Sequence, residues 1–157
     1  MFPANKLFLA ALLCAAALPG QLATKKTLTL EAAKKISAAA EAEAKKNGWT
    51  VVICIVDDGA NLVYLQKIDG TQIGSIDVAQ AKAKAAVRFK RPTKAQEDTL
   101  AGGRQAVLAL PGFMPVEGGI PIMSGTELIG AIGVSGVQSN QDGIVAAAGI
   151  AAANLLK

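Results

Sequence analysis

The residues best suited to chemistry are gathered in one stretch, residues 110–136, which reads LPGFMPVEGGIPIMSGTELIGAIGVSG. An aromatic ring (Phe113), a thioether (Met114) and a carboxylate (Glu117) stand here beside the pair Gly118-Gly119. Proline and glycine restrict or relax the backbone, so the first half is predicted to be an ordered, irregular loop. Such a loop at the mouth of a strand can offer backbone amides to a ligand. Ligand binding and a purely structural connection are both consistent with the pattern.

The chain contains no histidine, and this excludes several kinds of chemistry. A serine or cysteine nucleophile has no imidazole to activate it, and a zinc site would lack its habitual donor. Cys54 lies inside a predicted buried strand and is expected to be an inert core thiol. Asp57, at the end of that strand, is expected to bond nearby amides in a turn, with a ligand role as the alternative.

A polar stripe is predicted along the second helix, with members at steps of three and four residues: Asp77, Gln80, Lys84, Arg88 and Arg91. Its bases suit the recognition of carboxylates, because an arginine fork matches a carboxylate well. The acid at the start and the bases towards the end also suit the helix dipole, so a merely solvated face explains the stripe equally well.

The elements that must position these residues alternate between helical and strand-like periodicity. Helices are predicted over residues 30–46, 75–90, from 93 to the glycine pair 102–103, and 144–156; strands are predicted over 50–56, 62–67, 120–123 and 128–134. Thr93 and Gln96 have capping-box spacing at the third helix. The order predicts an α+β single domain in which an antiparallel sheet carries helices mostly on one face. Residues 27–29 are a candidate for one further strand.

The first residues have the order of a secretory signal peptide: Lys6, an apolar run over 7–18, Pro19-Gly20 and the small residue Ala23. The run is too short to span a bilayer. Cys14 permits a lipoprotein reading, which the preceding leucine disfavours.

We therefore expect a signal peptide at residues 1–23 and one domain at 24–157, periplasmic or secreted, with no stable membrane anchor in the mature form. The formal charge of +4 is not gathered in a basic run with interleaved aromatics, so nucleic acid is not an expected partner.

Motifs in several parts of the chain resemble the GlcG/HbpS haem-binding family. The spacing is LPG, two residues, P, one residue, EGG, one residue, PI, then GAIGVSG, preceded by VDDG at 56–59, SIDVA at 75–79 and RPT at 91–93. The resemblance covers residue 28 to the C-terminus. It implies a profilin-like or PAS-like arrangement and assembly of subunits into a symmetric homo-oligomer.

The resemblance also implies haem or a related tetrapyrrole as cofactor, and in some members haem degradation or iron handling. Met114 is then the candidate axial ligand, with Met123 as second choice although its strand position favours a core role. Asp77 is the candidate iron ligand on the second helix, where the neutral Gln80 makes a poorer partner. The hypothesis names six side chains for the cofactor site: Phe113, Met114, Glu117, Lys84, Arg88 and Arg91.

Two functions from different classes remain open. The first is a haem-binding carrier or sensor module, non-catalytic or weakly haem-degrading. The second is a small-molecule sensing or assembly subunit that kept the fold and lost the cofactor, which the missing histidine supports. An enzyme acting on a small organic acid at Glu117 is a third, supported by fold analogy alone. The sequence favours a non-catalytic role over an enzymatic one.

Overall fold

The computed structural model describes residues 22–153 of the 157-residue chain. Its elements, in chain order, are α1 (Leu30–Lys46), β1 (Val52–Asp57), β2 (Leu62–Lys67), α2 (Ser75–Phe89), α3 (Thr93–Ala101), a 3₁₀ turn (Gln105–Ala109), β3 (Gly119–Ser124), β4 (Glu127–Ser135) and α4 (Ser139–Ala153). The predicted α+β class is confirmed. The predicted signal peptide lies almost wholly outside the described residues.

One antiparallel sheet organises the domain, with strand order β2-β1-β4-β3. The central strand β1 is fully buried from Val52 to Val56. Successive side chains of a strand point to opposite faces, so β1 sends Ile53 and Ile55 into one core and Cys54 into another. The prediction that this β-branched run is covered on both faces is confirmed.

The first face of the sheet is covered by α1 and α4. Local signals define α1: Thr29 Oγ1 accepts a hydrogen bond from Ala32 N (3.2 Å), and two lysines lie in the last turn. Small buried residues such as Ala33 and Ala40 let α1 lie close to the sheet and to α4. This packing excludes water from the larger of the two apolar cores.

The second face is covered by α2, so the helices are not mostly on one face as the sequence suggested. Ala79, Ala83 and Ala86 of α2 pack against β1 and β4. Gly133 of β4 makes the close approach necessary, because a side chain there would collide with the Ala79 carbonyl oxygen. A sheet whose central strand is apolar on both sides needs a helix layer on each.

Several boundaries differ from the sequence expectation. Residues 27–29 form no strand; they run in irregular conformation into α1. The fourth helix begins at Ser139, one turn earlier than predicted. The second helix ends as predicted before Arg91-Pro92, with Lys90 in the left-handed region at φ 51°. Within residues 22–153, no helix has the length and apolar character needed to cross a membrane.

Candidate functional site

The central loop, residues 110–118, is held in place by α3. Thr93, Gln96 and Glu97 lie on successive turns of one helix face, and each accepts a hydrogen bond from a backbone amide of the loop or of the first residue of β3. The three bonds are Gly119 N to Thr93 Oγ1 (2.9 Å), Met114 N to Gln96 Oε1 (2.9 Å) and Glu117 N to Glu97 Oε2 (2.7 Å). The short helix α3 is therefore a template for the loop.

This arrangement overturns the predicted capping box at Thr93 and Gln96. The N-cap of α3 is Pro92, and no side chain caps it. Thr93 and Gln96 are both fully buried and turn towards the loop. A buried backbone amide without an acceptor costs free energy, so these oxygens satisfy the loop amides instead of amides of their own helix.

Four amides of the central loop donate to protein acceptors. Phe113 N donates to Leu110 O (3.1 Å) and Val116 N donates to Met114 O (2.8 Å), in addition to the bonds from Met114 and Glu117 to α3. The expectation that this loop offers backbone amides to a ligand is not met at these four positions. Recognition at Phe113, Met114, Val116 and Glu117 must therefore use side chains.

The loop lies against the C-terminal end of α2. The Phe113 ring meets the Phe89 ring edge to face, with centroids 5.7 Å apart and planes at 89°. Gly112 has φ 75°, and a Cβ at this position would come within 3.0 Å of Arg88 Nη1. The structure thus brings Arg88 and Phe113, two of the predicted site residues, onto one surface.

The remaining predicted residues of α2 and its end are spread more widely. Lys84 is half-buried, and its charge acts on Cys54 of β1. Arg91 is exposed just beyond the helix end. Asp77 lies in the first turn of α2, about 16 Å along the helix axis from Arg88. Asp77 and Met114 are therefore placed near opposite ends of α2.

A buried ion pair that the sequence reading missed lies beside the glycine pair of the loop. Lys82 Nζ donates to Asp142 Oδ2 at 2.7 Å, and the two side chains are 1% and 3% exposed. The pair joins α2 to the first turn of α4. Lys82 lies on the helix face of the buried alanines of α2, not on that of the polar stripe. Its position on this face is the sequence feature that could have identified it as buried.

The pKa values of two carboxylates are raised here: that of Asp142, in the pair, and that of the neighbouring Glu117. Burial raises the pKa of Asp142, although the hydrogen bond from Lys82 opposes the rise. Burial also raises the pKa of Glu117, and the neighbouring Glu97 carboxylate adds to the rise. The Glu117 side chain lies over Gly143 of α4, where a Cβ would collide with its carboxylate. Glu117 therefore closes one side of the loop against α4.

Two sequence expectations about β1 are confirmed. Cys54 is fully buried, and burial raises the pKa of its thiol to about 12, so a reactive thiolate is not formed at neutral pH. Asp57 Oδ1 accepts from Gly59 N (2.9 Å) and Asn61 N (2.8 Å). Burial alone would raise the pKa of Asp57, but these bonds hold it below its usual value.

Residues 22–153 contain no group of three or more His, Cys, Asp or Glu side chains arranged to hold an ion. Met123, whose strand position favoured a core role, is 42% exposed and borders a cavity formed with the N-terminal segment and α1. That cavity lies away from the central loop.

Comparisons of the sequence and of the structure with known proteins indicate the same family. The family model described as "Haem degrading protein HbpS-like" matches residues 28–151. Protein GlcG of Escherichia coli strain K12 is 39% identical over 112 residues, which cover 71% of this chain and 84% of GlcG. A double mutant of HbpS from Streptomyces reticuli superposes with a TM-score of 0.77 at 33% identity, covering 95% of this chain and 97% of that one. A complex of PduOC with haem superposes with a TM-score of 0.75 at 27% identity, covering 81% and 95%.

Proposed function

Because the chain belongs to the HbpS-like family of haem-degrading proteins, we propose that it is an exported haem-binding module acting as a carrier or sensor. Membership of this family and likeness to a haem complex support haem-related binding. Export rests on the order of charged, apolar and small residues at the start of the sequence. Assembly into a homo-oligomer is part of the same proposal and rests on the family resemblance, because closed symmetric assembly is the commonest arrangement of oligomeric proteins.

The observation that carries the proposal is the surface made by the central loop and the end of α2. Leu108, just before the loop, and Leu110, its first residue, are 57% and 44% exposed. Arg88 lies against the loop at Gly112 and forms no ion pair with the described residues. Apolar side chains beside the guanidinium of Arg88, which has no ion-pair partner among the described residues, suit a flat apolar ligand that carries carboxylates.

Each residue of this surface has a distinct part in holding the cofactor. Met114 offers a thioether, which is one of the two axial ligands in cytochromes c. Phe113 presents an aromatic ring held by Phe89. Arg88, with Arg91 beyond the helix end, supplies positive charge for the propionates. When bound, haem would supply the redox and spectroscopic chemistry that this chain lacks.

The remaining residues of the sequence hypothesis have weaker parts. Glu117 borders the proposed site without contacting the cofactor, because its backbone amide donates to Glu97 and its side chain lies over Gly143. Lys84 is half-buried, and its charge acts on Cys54 of β1. Asp77 is left out of this site, since it stands at the other end of α2.

A second candidate function is a small-molecule sensing or assembly subunit of the same fold without a cofactor. Two observations favour it: histidine is absent from the chain, and four of the loop amides are already bonded to protein acceptors. Weak haem degradation is a further variant of the first candidate and has no residue of its own to support it.

Titration of purified protein with hemin, followed in the Soret region, tests the proposal. Met114→Ala is expected to shift the Soret band, because it removes the axial ligand. Arg88→Ala is expected to weaken binding up to about fivefold with little spectral change, because an exposed charge pair contributes at most about 1 kcal/mol.

Met123→Leu is the matched control, since it changes a methionine away from the loop while conserving volume. Saturable binding that ignores Met114→Ala and Arg88→Ala but is lost in Met123→Leu would place the haem elsewhere. If hemin produces no saturable spectral change with the unaltered protein, the cofactor-free candidate takes its place.

A further inference from the structure

A second site is formed on the face of the sheet covered by α1, away from the central loop. A cavity of about 320 Å³ lies between the segment leading into α1, α1 itself and the β3–β4 hairpin. Its apolar lining includes Leu28, Ile36, Ile122 and Ile129, of which Ile36 and Ile122 are fully buried. Leu28 belongs to the main apolar core and Ile129 packs against it, so the cavity has an apolar inner end.

The size of the cavity restricts what can enter it. Its volume lies at the lower end of the range for ligand sites, about 300–1,000 Å³. At ~30 Å³ for each water-sized group, it holds about ten such groups. A short aliphatic molecule fits this space and a tetrapyrrole does not. The cavity is thus a separate site from the surface proposed for haem, and its use does not depend on that proposal.

The polar groups at the cavity select the charge of the ligand. Lys26 is the single charged residue among the described residues that line it. The carboxylate nearest to Lys26 Nζ, that of Glu127, is 3.9 Å away, longer than the 2.7–2.9 Å of a charge-assisted hydrogen bond. A ligand carboxylate that approaches closely can therefore compete for this ammonium.

Ser124 provides a second polar contact for the same carboxylate. Its Oγ accepts a hydrogen bond from Lys26 Nζ at 3.2 Å. A serine hydroxyl has one proton to donate besides its acceptor sites, so the Ser124 proton remains available to a ligand oxygen. Lys26 and Ser124 together offer two donors from neighbouring positions.

We propose that this cavity binds a short linear monocarboxylate, with the aliphatic chain against Leu28 and Ile129 and the carboxylate at Lys26 and Ser124. The apolar inner end supplies affinity through burial of methylene groups, and the amine with the hydroxyl selects an anionic head group over a neutral one.

A chain-length series measured by calorimetry on the full mature protein tests the site, using butanoate, hexanoate, octanoate and decanoate below their aggregation concentrations. Affinity is expected to rise about fourfold for each added methylene, since ~0.8 kcal/mol per buried CH₂ corresponds to that factor. The rise is expected to stop once the cavity is filled. The primary alcohol of equal length is expected to bind more weakly.

The variants separate the head group from the chain. Lys26→Gln is expected to abolish the preference for the acid over the alcohol. Lys25→Gln is the matched control, because Lys25 is paired with Asp58 at 2.7 Å and does not line the cavity. Ala32→Phe, which fills the cavity from α1, is expected to block every member of the series.

The proposal is overturned if acid and alcohol bind equally, if affinity is independent of chain length, or if Lys25→Gln has the same effect as Lys26→Gln. The chain-length series on the unaltered protein decides the question even if Ala32→Phe fails to fold. Hemin is expected not to displace the carboxylate, so failure at either site is distinguishable from failure at the other.

Discussion

The two faces of the sheet are built by different physical means. The face under α1 and α4 is an apolar core of isoleucine, valine and alanine. The face under α2 has a smaller apolar core, and buried polar side chains stand around it: Lys82, Thr93 and Gln96. Apolar burial is non-directional and tolerates repacking, whereas buried hydrogen bonds fix one geometry. The second face is therefore where the chain sets the shape of its central loop.

The largest expected effect comes from breaking the buried pair that joins α2, on the second face, to α4. Lys82→Met leaves the Asp142 carboxylate buried without its partner, so we expect a loss of about 3–5 kcal/mol in the free energy of unfolding, measured by urea denaturation. The double variant Lys82→Met with Asp142→Leu is expected to recover much of this loss, because apolar replacement of both partners removes the unpaired charge.

A loss below about 1 kcal/mol for Lys82→Met would mean that the pair is not buried in solution. A double variant as unstable as the single one would show that the packing of these side chains, not their charges, stabilises this end of the sheet.

A smaller effect distinguishes the threonines on the two faces. Thr93→Val removes the acceptor of the buried Gly119 amide, and the expected cost is about 1–3 kcal/mol. Thr29→Ala removes the N-cap of α1, and the expected cost is about 1 kcal/mol. Hydrogen exchange separates the two variants, because only Thr93→Val should accelerate exchange of the loop amides at Met114 and Glu117.

Equal protection of the loop amides in both variants would contradict the template role of α3. Holding the loop also has an energetic cost at Gln96. Its Nε2 is buried without a hydrogen-bond partner among the described residues.

The contrast between local and long-range hydrogen bonds also explains which parts of the fold could be predicted from the sequence. The bounds of α1 were predicted because Thr29, the terminal lysines and Asn47 act within one turn of themselves. Thr93 and Gln96 carry the same kind of local signal, but their bonds reach residues 26 and 18 positions away. Local spacing cannot show which of two acceptor roles a side chain adopts, since tertiary burial of the loop amides decides it.

The candidate site was predictable to a similar degree. Phe113 and Arg88 were brought into one hypothesis by their residue types, and the structure places them on one surface. Lys82 was missed because a lysine is ordinarily exposed, and only its helical phase and the distant Asp142 make it a buried residue.

The smallest expected effect concerns one glutamate near each face, and its sign is opposite for the two. Burial raises the pKa of Glu117 above its ordinary value of 4.5, and Glu97 adds to the rise. The folded state therefore binds more protons than the unfolded state in the window just above pH 4.5, and the free energy of unfolding falls as pH rises through it.

The hydrogen bond from Lys45 lowers the pKa of Glu41 on α1, so this group contributes stability above pH 4.5 that is lost as pH falls. Glu117→Gln should remove the first dependence and Glu41→Gln the second, each by less than about 1 kcal/mol because water screens both groups. Urea denaturation of both variants between pH 3.5 and 7, expressed as differences from the unaltered protein, should give slopes of opposite sign; slopes of the same sign would show that Glu117 is as solvated as Glu41.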